Sequence, residues 1–199
     1  MSTRPILLDI VSDLGFVTFE SGFLNLNIIG IRTNDNRSNR FNDRICVVYK
    51  DGDGWITRTF AATTDPGLYW REHPMIPSIG AAIMKPGQYR GSHKLGRHRG
   101  IYPALVQTGA KVSYWRDNNR DEVLDMIPGE TPESSGFIGL NIHRASSRDG
   151  GSETVDRWSA GCQVIADPDD WNLFITLCKT SADLYGPQFT YTLIDDPVG

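Results

Sequence analysis

Short apolar runs separated by turn-forming residues make up most of this chain, and this alternation restricts the folds open to it. Runs rich in β-branched and aromatic residues occupy positions 24–32, 44–50, 54–64, 102–109, 110–117, 136–143 and 188–195. The segments between them contain turn sequences such as DGDG, DPG, KPGQ, DNN and PGETP. Apolar runs interrupted by Gly, Pro, Asn and Asp are typical of strands joined by tight turns. The sequence therefore predicts a mainly β domain, either a barrel or a sandwich.

Two segments carry helix signals instead. The apolar pattern at 4–16 predicts a short N-terminal helix. The signals at 166–186 are stronger, because Asp167 is a typical N-cap, Pro168 suits the first helical position and Gly186 suits the end. Apolar residues recur there at helical spacing, and the predicted buried face consists of Trp171, Phe174, Ile175 and Cys178.

Length and charge limit the classes of function. The chain has 199 residues, of which 39% are hydrophobic, and a formal net charge of −4, which suits one globular domain with a sizeable core. We expect a single domain over 1–199, in which 1–23 form a helical extension and 24–199 form the β-rich core. An acidic chain does not favour a nucleic-acid partner. No apolar run approaches the length of a membrane span, and the first residues lack a signal-peptide pattern.

The three cysteines differ in their surroundings. Cys46 lies in an alternating apolar run and Cys178 lies on the apolar face of the predicted long helix, so both are expected to be buried and inert. Cys162 instead follows the small residues 159–161 at a turn. The spacing of the cysteines does not match a metal site, so no metal and no cofactor are expected.

His143 and Cys162 stand at the two ends of a loop that is rich in glycine and serine. Because side chains alternate along a strand, Asn141 and His143 are expected to share one face at the end of the run 136–143. A cysteine nucleophile needs a base and a set of oxyanion donors. The candidates are His143 as base, Cys162 as nucleophile with a depressed thiol pKa, and the backbone N–H groups of Gly161 and Cys162 as oxyanion donors. The competing interpretation is a loop that ends in a buried structural thiol.

These residues resemble the catalytic motif of the L,D-transpeptidase family. That family has a histidine, a loop, and then Ser/Thr-His-Gly-Cys followed by an apolar residue and Arg or Asn. This chain has His143, a loop, and then Ser159-Ala160-Gly161-Cys162, with Gln163 at the apolar position and Val164 in place of Arg or Asn. The resemblance implies an L,D-transpeptidase-like β fold with a long helix after the cysteine. It also implies the same roles for His143, Cys162 and the two amides.

Other side chains are needed to receive the free carboxylate of an L,D-bond substrate, since Val164 cannot. Arg97 and Arg99 are the predicted partners, in a glycine-punctuated segment at 90–99 that is expected to be a loop over the site. Arg144 and Arg157 are also near the motif in sequence, but Arg144 is expected to point away from the face of His143. Asn141 and Ser159 complete the predicted substrate-binding residues.

The resemblance thus implies a cysteine enzyme that acts on L,D-peptide bonds of peptidoglycan stem peptides. The altered motif and the lack of a leader pattern favour hydrolysis over cross-linking. A phage lysis enzyme or a delivered effector would fit, made in the cytoplasm and acting at the cell wall or in the periplasm. Sortase-like and papain-like enzymes are disfavoured by the order and spacing of His143 and Cys162. The remaining alternative is a non-catalytic β domain that binds peptidoglycan or carbohydrate, such as a virion component, with Cys162 buried and no histidine in reach.

Overall fold

A computed structural model describes residues 3–37 and 39–197, and this part of the chain is mainly β, as the sequence predicts. The strands are β1 (Asn27–Arg32), β2 (Asp43–Asp51), β3 (Gly54–Thr63), β4 (Ala81–Met84), β5 (Gly87–His98), β6 (Tyr102–Gln107), β7 (Val112–Asp117), β8 (Glu133–Gly136), β9 (Ile142–Arg144), β10 (Gln163–Ile165) and β11 (Gln188–Asp195). The helices are α1 (Ile6–Asp13), α2 (Leu68–Glu72) and α3 (Pro168–Tyr185).

Eight strands close into a barrel in the order β1–β11–β5–β6–β9–β10–β3–β2. Neighbouring strands are antiparallel except for the pairs β1/β11 and β9/β10, which are parallel. The strands β4, β7 and β8 form a separate three-stranded sheet in the order β4–β7–β8. Ala82, Met84, Val112 and Tyr114 of that sheet belong to the same apolar cluster as the barrel interior, so the sheet packs on the barrel.

Strand β1 is buried along its whole length because apolar groups cover both of its faces. Ile28 packs into the main core, whereas Ile29 and Ile31 pack in a second cluster with Leu8 and Val11 of α1. The predicted N-terminal helix is therefore present, and it covers the outside of the barrel wall.

Helix α3 follows the sequence prediction closely. Asp167 caps it, and the carboxylate oxygen accepts hydrogen bonds from the N–H groups of Asp169 at 2.8 Å and Asp170 at 3.1 Å. Local side-chain bonds of this kind satisfy the unpaired N–H groups of the first turn. The predicted apolar face is buried in the main core, where the ring of Phe174 meets Phe60 of β3 edge-on.

The structure differs from the sequence prediction at two places near the candidate site. Residues 90–99 do not form a loop, because β5 extends to His98 and pairs with both β11 and β6. Its polar, glycine-containing sequence has no strand periodicity, so only the backbone ladders on both sides make it a strand. The predicted strand 136–143 is in turn split, since β8 ends at Gly136 and β9 begins at Ile142.

Cys46 and Cys178 are buried, as predicted, and Cys162 is half-buried. Among the described residues, no helix combines the length and the apolar content needed to cross a membrane. Both ends of the predicted domain, residues 1 and 199, lie outside the described residues.

Candidate active site

Strands β9 and β10 bring the two ends of the glycine-rich loop back together. They run parallel, with Ile142 opposite Gln163 and His143 opposite Val164. Consequently Cys162, just before β10, lies beside the start of β9. His143 and Cys162 both line one cleft of about 450 Å³. The walls of this cleft come from the β5–β6 turn, the segments 138–143 and 157–162, the residues after α2, and the strands β4 and β7.

The imidazole of His143 is buried and has a defined partner. Its Nδ1 lies 2.8 Å from the carbonyl oxygen of Arg144, which can only accept a hydrogen bond. Nδ1 therefore carries the proton in the neutral ring, and Nε2 is left as the acceptor. The hydroxyl of Tyr102 is 3.2 Å from the same Nδ1. Burial, followed by the neighbouring His98, lowers the pKa of His143 to about 3, so the ring is neutral near pH 7.

The thiol of Cys162 is protonated at rest. It donates a hydrogen bond to the carbonyl oxygen of Gly139 at 3.4 Å. Burial raises the pKa of Cys162 to about 11, and the backbone N–H of Asn141 and the charge of Arg99 offset only part of this rise. The expected depressed thiol pKa is therefore wrong for the free protein, because His143 is neutral and supplies no charge to stabilise a thiolate. Among the described residues the hydrogen bond of the thiol goes to Gly139, and none joins it to His143.

The predicted oxyanion donors differ in availability. The N–H of Gly161 donates to the hydroxyl of Ser159 at 3.1 Å, so it is already occupied. The N–H of Cys162 has no acceptor among the described residues. Of the two predicted amides, only that of Cys162 is free to receive an oxyanion.

Ser159 is fully buried and stabilises the turn. Its hydroxyl donates to the carbonyl oxygen of Cys162 at 2.7 Å while accepting from Gly161. The carbonyl oxygen of Ser159 accepts from the N–H of Gly67 at 2.8 Å. All of these bonds lie within the protein and Ser159 does not line the cleft, so the structure does not place it as a substrate-binding residue.

The two arginines of the predicted loop point to different places. Arg99 lines the cleft, in a left-handed backbone conformation with φ of 50°. Arg97 instead donates through Nε to the carbonyl oxygen of Gly100 at 3.0 Å and through Nη2 to that of Ile101, and it does not line the cleft. Arg97 therefore closes the β5–β6 turn and is not placed to bind substrate.

Two further cleft arginines were missed or not favoured by the sequence reasoning. Arg116 of β7 reaches the cleft from the small sheet, and Arg157 reaches it from the segment before Cys162. The guanidinium carbon of Arg157 lies 3.8 Å from the ring centre of Tyr69. Arg144 has its guanidinium over Tyr102 and does not line the cleft, as expected. Only the packing of β7 against the barrel could have identified Arg116.

Asn141 lines the cleft, but its side chain has protein partners. The amide oxygen accepts from the N–H of Gln107 at 2.8 Å, and the amide nitrogen faces Nδ1 of His98 at 3.3 Å. The ring of His98 lies against that of His143, with 4.0 Å between the ring centres. Sequence reasoning assigned no role to His98, because nothing in its spacing relates it to His143.

The charged side chains that line the cleft are all positive. Its lining contains Arg99, Arg116 and Arg157, and none of the described residues that line it is Asp or Glu. Its walls also carry the apolar groups of Trp70, Met75, Ile76, Ile138 and Trp158. Within residues 3–37 and 39–197, no group of three or more His, Cys, Asp or Glu side chains is arranged to hold a metal ion. The arrangement suits a ligand that is anionic and partly apolar.

Comparison of the chain with protein-family models, with curated proteins and with solved structures found no match.

Proposed function

We propose that this protein is a cysteine enzyme of the L,D-transpeptidase type that cleaves or transfers L,D-peptide bonds of peptidoglycan stem peptides, with hydrolysis favoured. The observation that carries the proposal is the shared cleft, which is lined both by the half-buried thiol of Cys162 and by His143, a neutral imidazole with an unprotonated Nε2. The resemblance of the motif at 159–162 to that of the L,D-transpeptidases supports stem peptides as the substrate class.

The reaction proceeds in two steps. Nε2 of His143 takes the thiol proton while the sulfur of Cys162 attacks the scissile carbonyl, and the N–H of Cys162 receives the developing oxyanion. The C–N bond then breaks, and His143 returns the proton to the leaving amine. The resulting thioester is cleaved by water, or by the amine of a second stem, which restores the thiol.

The arginines account for substrate recognition in this proposal. An L,D-bond substrate offers a free carboxylate near the scissile bond, and guanidinium groups pair with carboxylates through two parallel hydrogen bonds. Arg99 lies on the β5–β6 turn, while Arg116 and Arg157 lie on other cleft walls. The absence of carboxylates among the described cleft residues removes a source of repulsion.

The non-catalytic alternative has less support. It expects a buried Cys162 without a histidine in reach, whereas Cys162 is half-buried and shares its cleft with His143. No separate observation favours a carbohydrate-binding surface, so we do not propose one.

The test is incubation with defined muropeptides and mass spectrometry of the products. We expect loss of the terminal D-residue from a tetrapeptide stem, and a Cys162→Ala variant should form no product while retaining binding. Cys46→Ala is the matched control, since it removes a buried thiol packed near α1 and should remain active. When a free D-amino acid is added to the reaction, its incorporation into the stem peptide identifies transfer to an amine, whereas its absence from the product identifies hydrolysis. A wild-type protein that binds muropeptides but converts none of them would show that the proposal is wrong.

A further inference from the structure

The candidate base has a second imidazole beside it that the reaction above does not use. His98 is the last residue of β5 and pairs across the turn with Tyr102 of β6. Its ring centre lies 4.0 Å from that of His143, and the two ring planes differ by 31°. His98 also lines the cleft. Two imidazoles at this distance cannot both be protonated without strong repulsion.

A short chain of hydrogen bonds determines the proton state of His98. The backbone N–H of Gln107 can only donate, so the Asn141 atom that it contacts at 2.8 Å must be the amide oxygen. The amide nitrogen of Asn141 then faces Nδ1 of His98 at 3.3 Å and donates to it. An imidazolium would place an N–H against this NH₂ group. Asn141 is therefore compatible only with a neutral His98 whose proton is on Nε2.

We propose that Asn141 holds His98 neutral, and that the neutral His98 ring is the positioning residue that allows His143 to accept the thiol proton. The inference rests on the proposed function, because it assigns a role through His143. As His143 takes the proton of Cys162 it becomes a cation, and a neutral ring beside it tolerates that charge. A protonated His98 would oppose the transfer and leave Cys162 without its base.

The surroundings of His98 agree with this assignment. The charged or titratable groups that face it are Arg99 on its own turn, Tyr102 on β6 and His143 on β9. Burial, followed by the charge of Arg99, lowers the pKa of His98 from its ordinary value. Tyr102 is the only one of these groups that could bear a negative charge. Burial raises the pKa of Tyr102, which keeps its hydroxyl neutral.

The decisive variant is Asn141→Asp, which keeps the shape of the side chain and the bond from Gln107. Its second carboxylate oxygen would face Nδ1 of His98 and accept a hydrogen bond from a protonated Nδ1, so His98 should become charged near pH 7. Turnover at pH 7 should fall by about a hundredfold or more, since a general base typically contributes about 10²- to 10⁴-fold. It should recover as the pH rises and His98 loses its proton.

The rescue variant is Asn141→Asp combined with His98→Phe. Phenylalanine keeps an aromatic ring beside His143 and cannot take a proton. The double variant should regain the turnover of His98→Phe alone, and its pH dependence should lose the extra ionisation. A double variant that is as impaired as Asn141→Asp alone would show that charge on His98 is not the cause.

A readout without substrate separates this inference from the proposed function. The chain has four histidines, so each imidazole can be assigned and titrated by NMR through single substitutions. Asn141→Asp should raise the titration midpoint of His98, and His98→Phe should raise that of His143. Unchanged midpoints overturn the inference even if the enzyme is active. Shifted midpoints in a protein that converts no muropeptide overturn the proposed function and leave the coupling of the two rings established.

Discussion

At the scale of single residues, two arginines in one turn have different environments. Arg99 lines the cleft, whereas Arg97 is bonded to the carbonyl oxygens of Gly100 and Ile101. Both side chains are exposed, so neither substitution should unfold the protein. We therefore expect Arg99→Ala to raise KM for a defined tetrapeptide about tenfold or more, because the variant loses one hydrogen bond between charged groups. Its kcat should change little.

Arg97→Ala provides the matched control two residues away. It removes the same charge from the same turn without removing a cleft group, so its KM should stay close to that of the wild type. Steady-state kinetics on both variants distinguish a specific contact from a general loss of positive charge. Equal increases of KM in the two variants would contradict the assignment of Arg99.

At the scale of elements, the segment that carries Cys162 packs directly on β4. Gly161 has φ of 117°, and a Cβ built on it would lie 2.3 Å from the carbonyl oxygen of Ala82. Only glycine lets the turn approach the small sheet this closely. Gly161→Ala should therefore lower the free energy of unfolding by roughly 2–4 kcal/mol, through the clash together with backbone strain.

Gly150→Ala is the comparison for this prediction. Gly150 also has a positive φ, of 81°, but a Cβ there would meet no atom within 4 Å. Gly150→Ala should lower the free energy of unfolding by about 1 kcal/mol, from the backbone conformation alone. Urea unfolding of both variants measures the difference, and similar losses at the two sites would mean that the contact with β4 is unimportant.

The elements also differ in how far the sequence predicts them. Helix α3 is predicted almost to the residue, because its cap at Asp167 and its apolar spacing are local features. Strand β5 is missed, because its polar, glycine-containing sequence has no strand periodicity, and it forms a strand only by pairing with the distant β11 and, across a short turn, with β6. Because of this error, Arg97, His98 and Arg99 were predicted to lie in a loop, whereas the structure has the first two at the end of β5 and Arg99 in the turn that follows.

At the scale of the whole molecule, buried histidines should govern the response to acid. His93 is fully buried between Ser92 and the carbonyl oxygen of Leu140, and burial lowers its pKa to about 4. The pKa of His143 is lowered to about 3. Both lie below the value of about 6.5 for an unfolded chain, so the unfolded state binds more protons between these values. Their contribution to stability is complete above pH 6.5 and is lost as the pH falls from there.

Asp65 acts in the opposite direction. Burial raises the pKa of Asp65 to about 6, although the guanidinium of Arg32 lies 2.9 Å from its carboxylate. The contribution of Asp65 to stability is therefore lost as the pH rises through about 6. Because the pKa values of His93 and His143 are lowered by more than that of Asp65 is raised, the urea midpoint should fall between about pH 6.5 and pH 4.5. His93→Gln, which can still donate to Leu140, should reduce this slope. A midpoint that is constant or rises on acidification would contradict the prediction.

The sequence alone determined the mainly β class, helix α3, the burial of Cys46 and Cys178, and the choice of His143 and Cys162 as candidates. These follow from local periodicity, capping and residue type, which act between near neighbours in the chain. Only the tertiary structure decided that Arg99 and not Arg97 lines the cleft, that the Gly161 amide is occupied, and that His98 lies against His143. It also decided that the thiol and the imidazole are neutral at rest. Strand pairing and desolvation depend on which distant segments fold over a residue, and no local pattern records them.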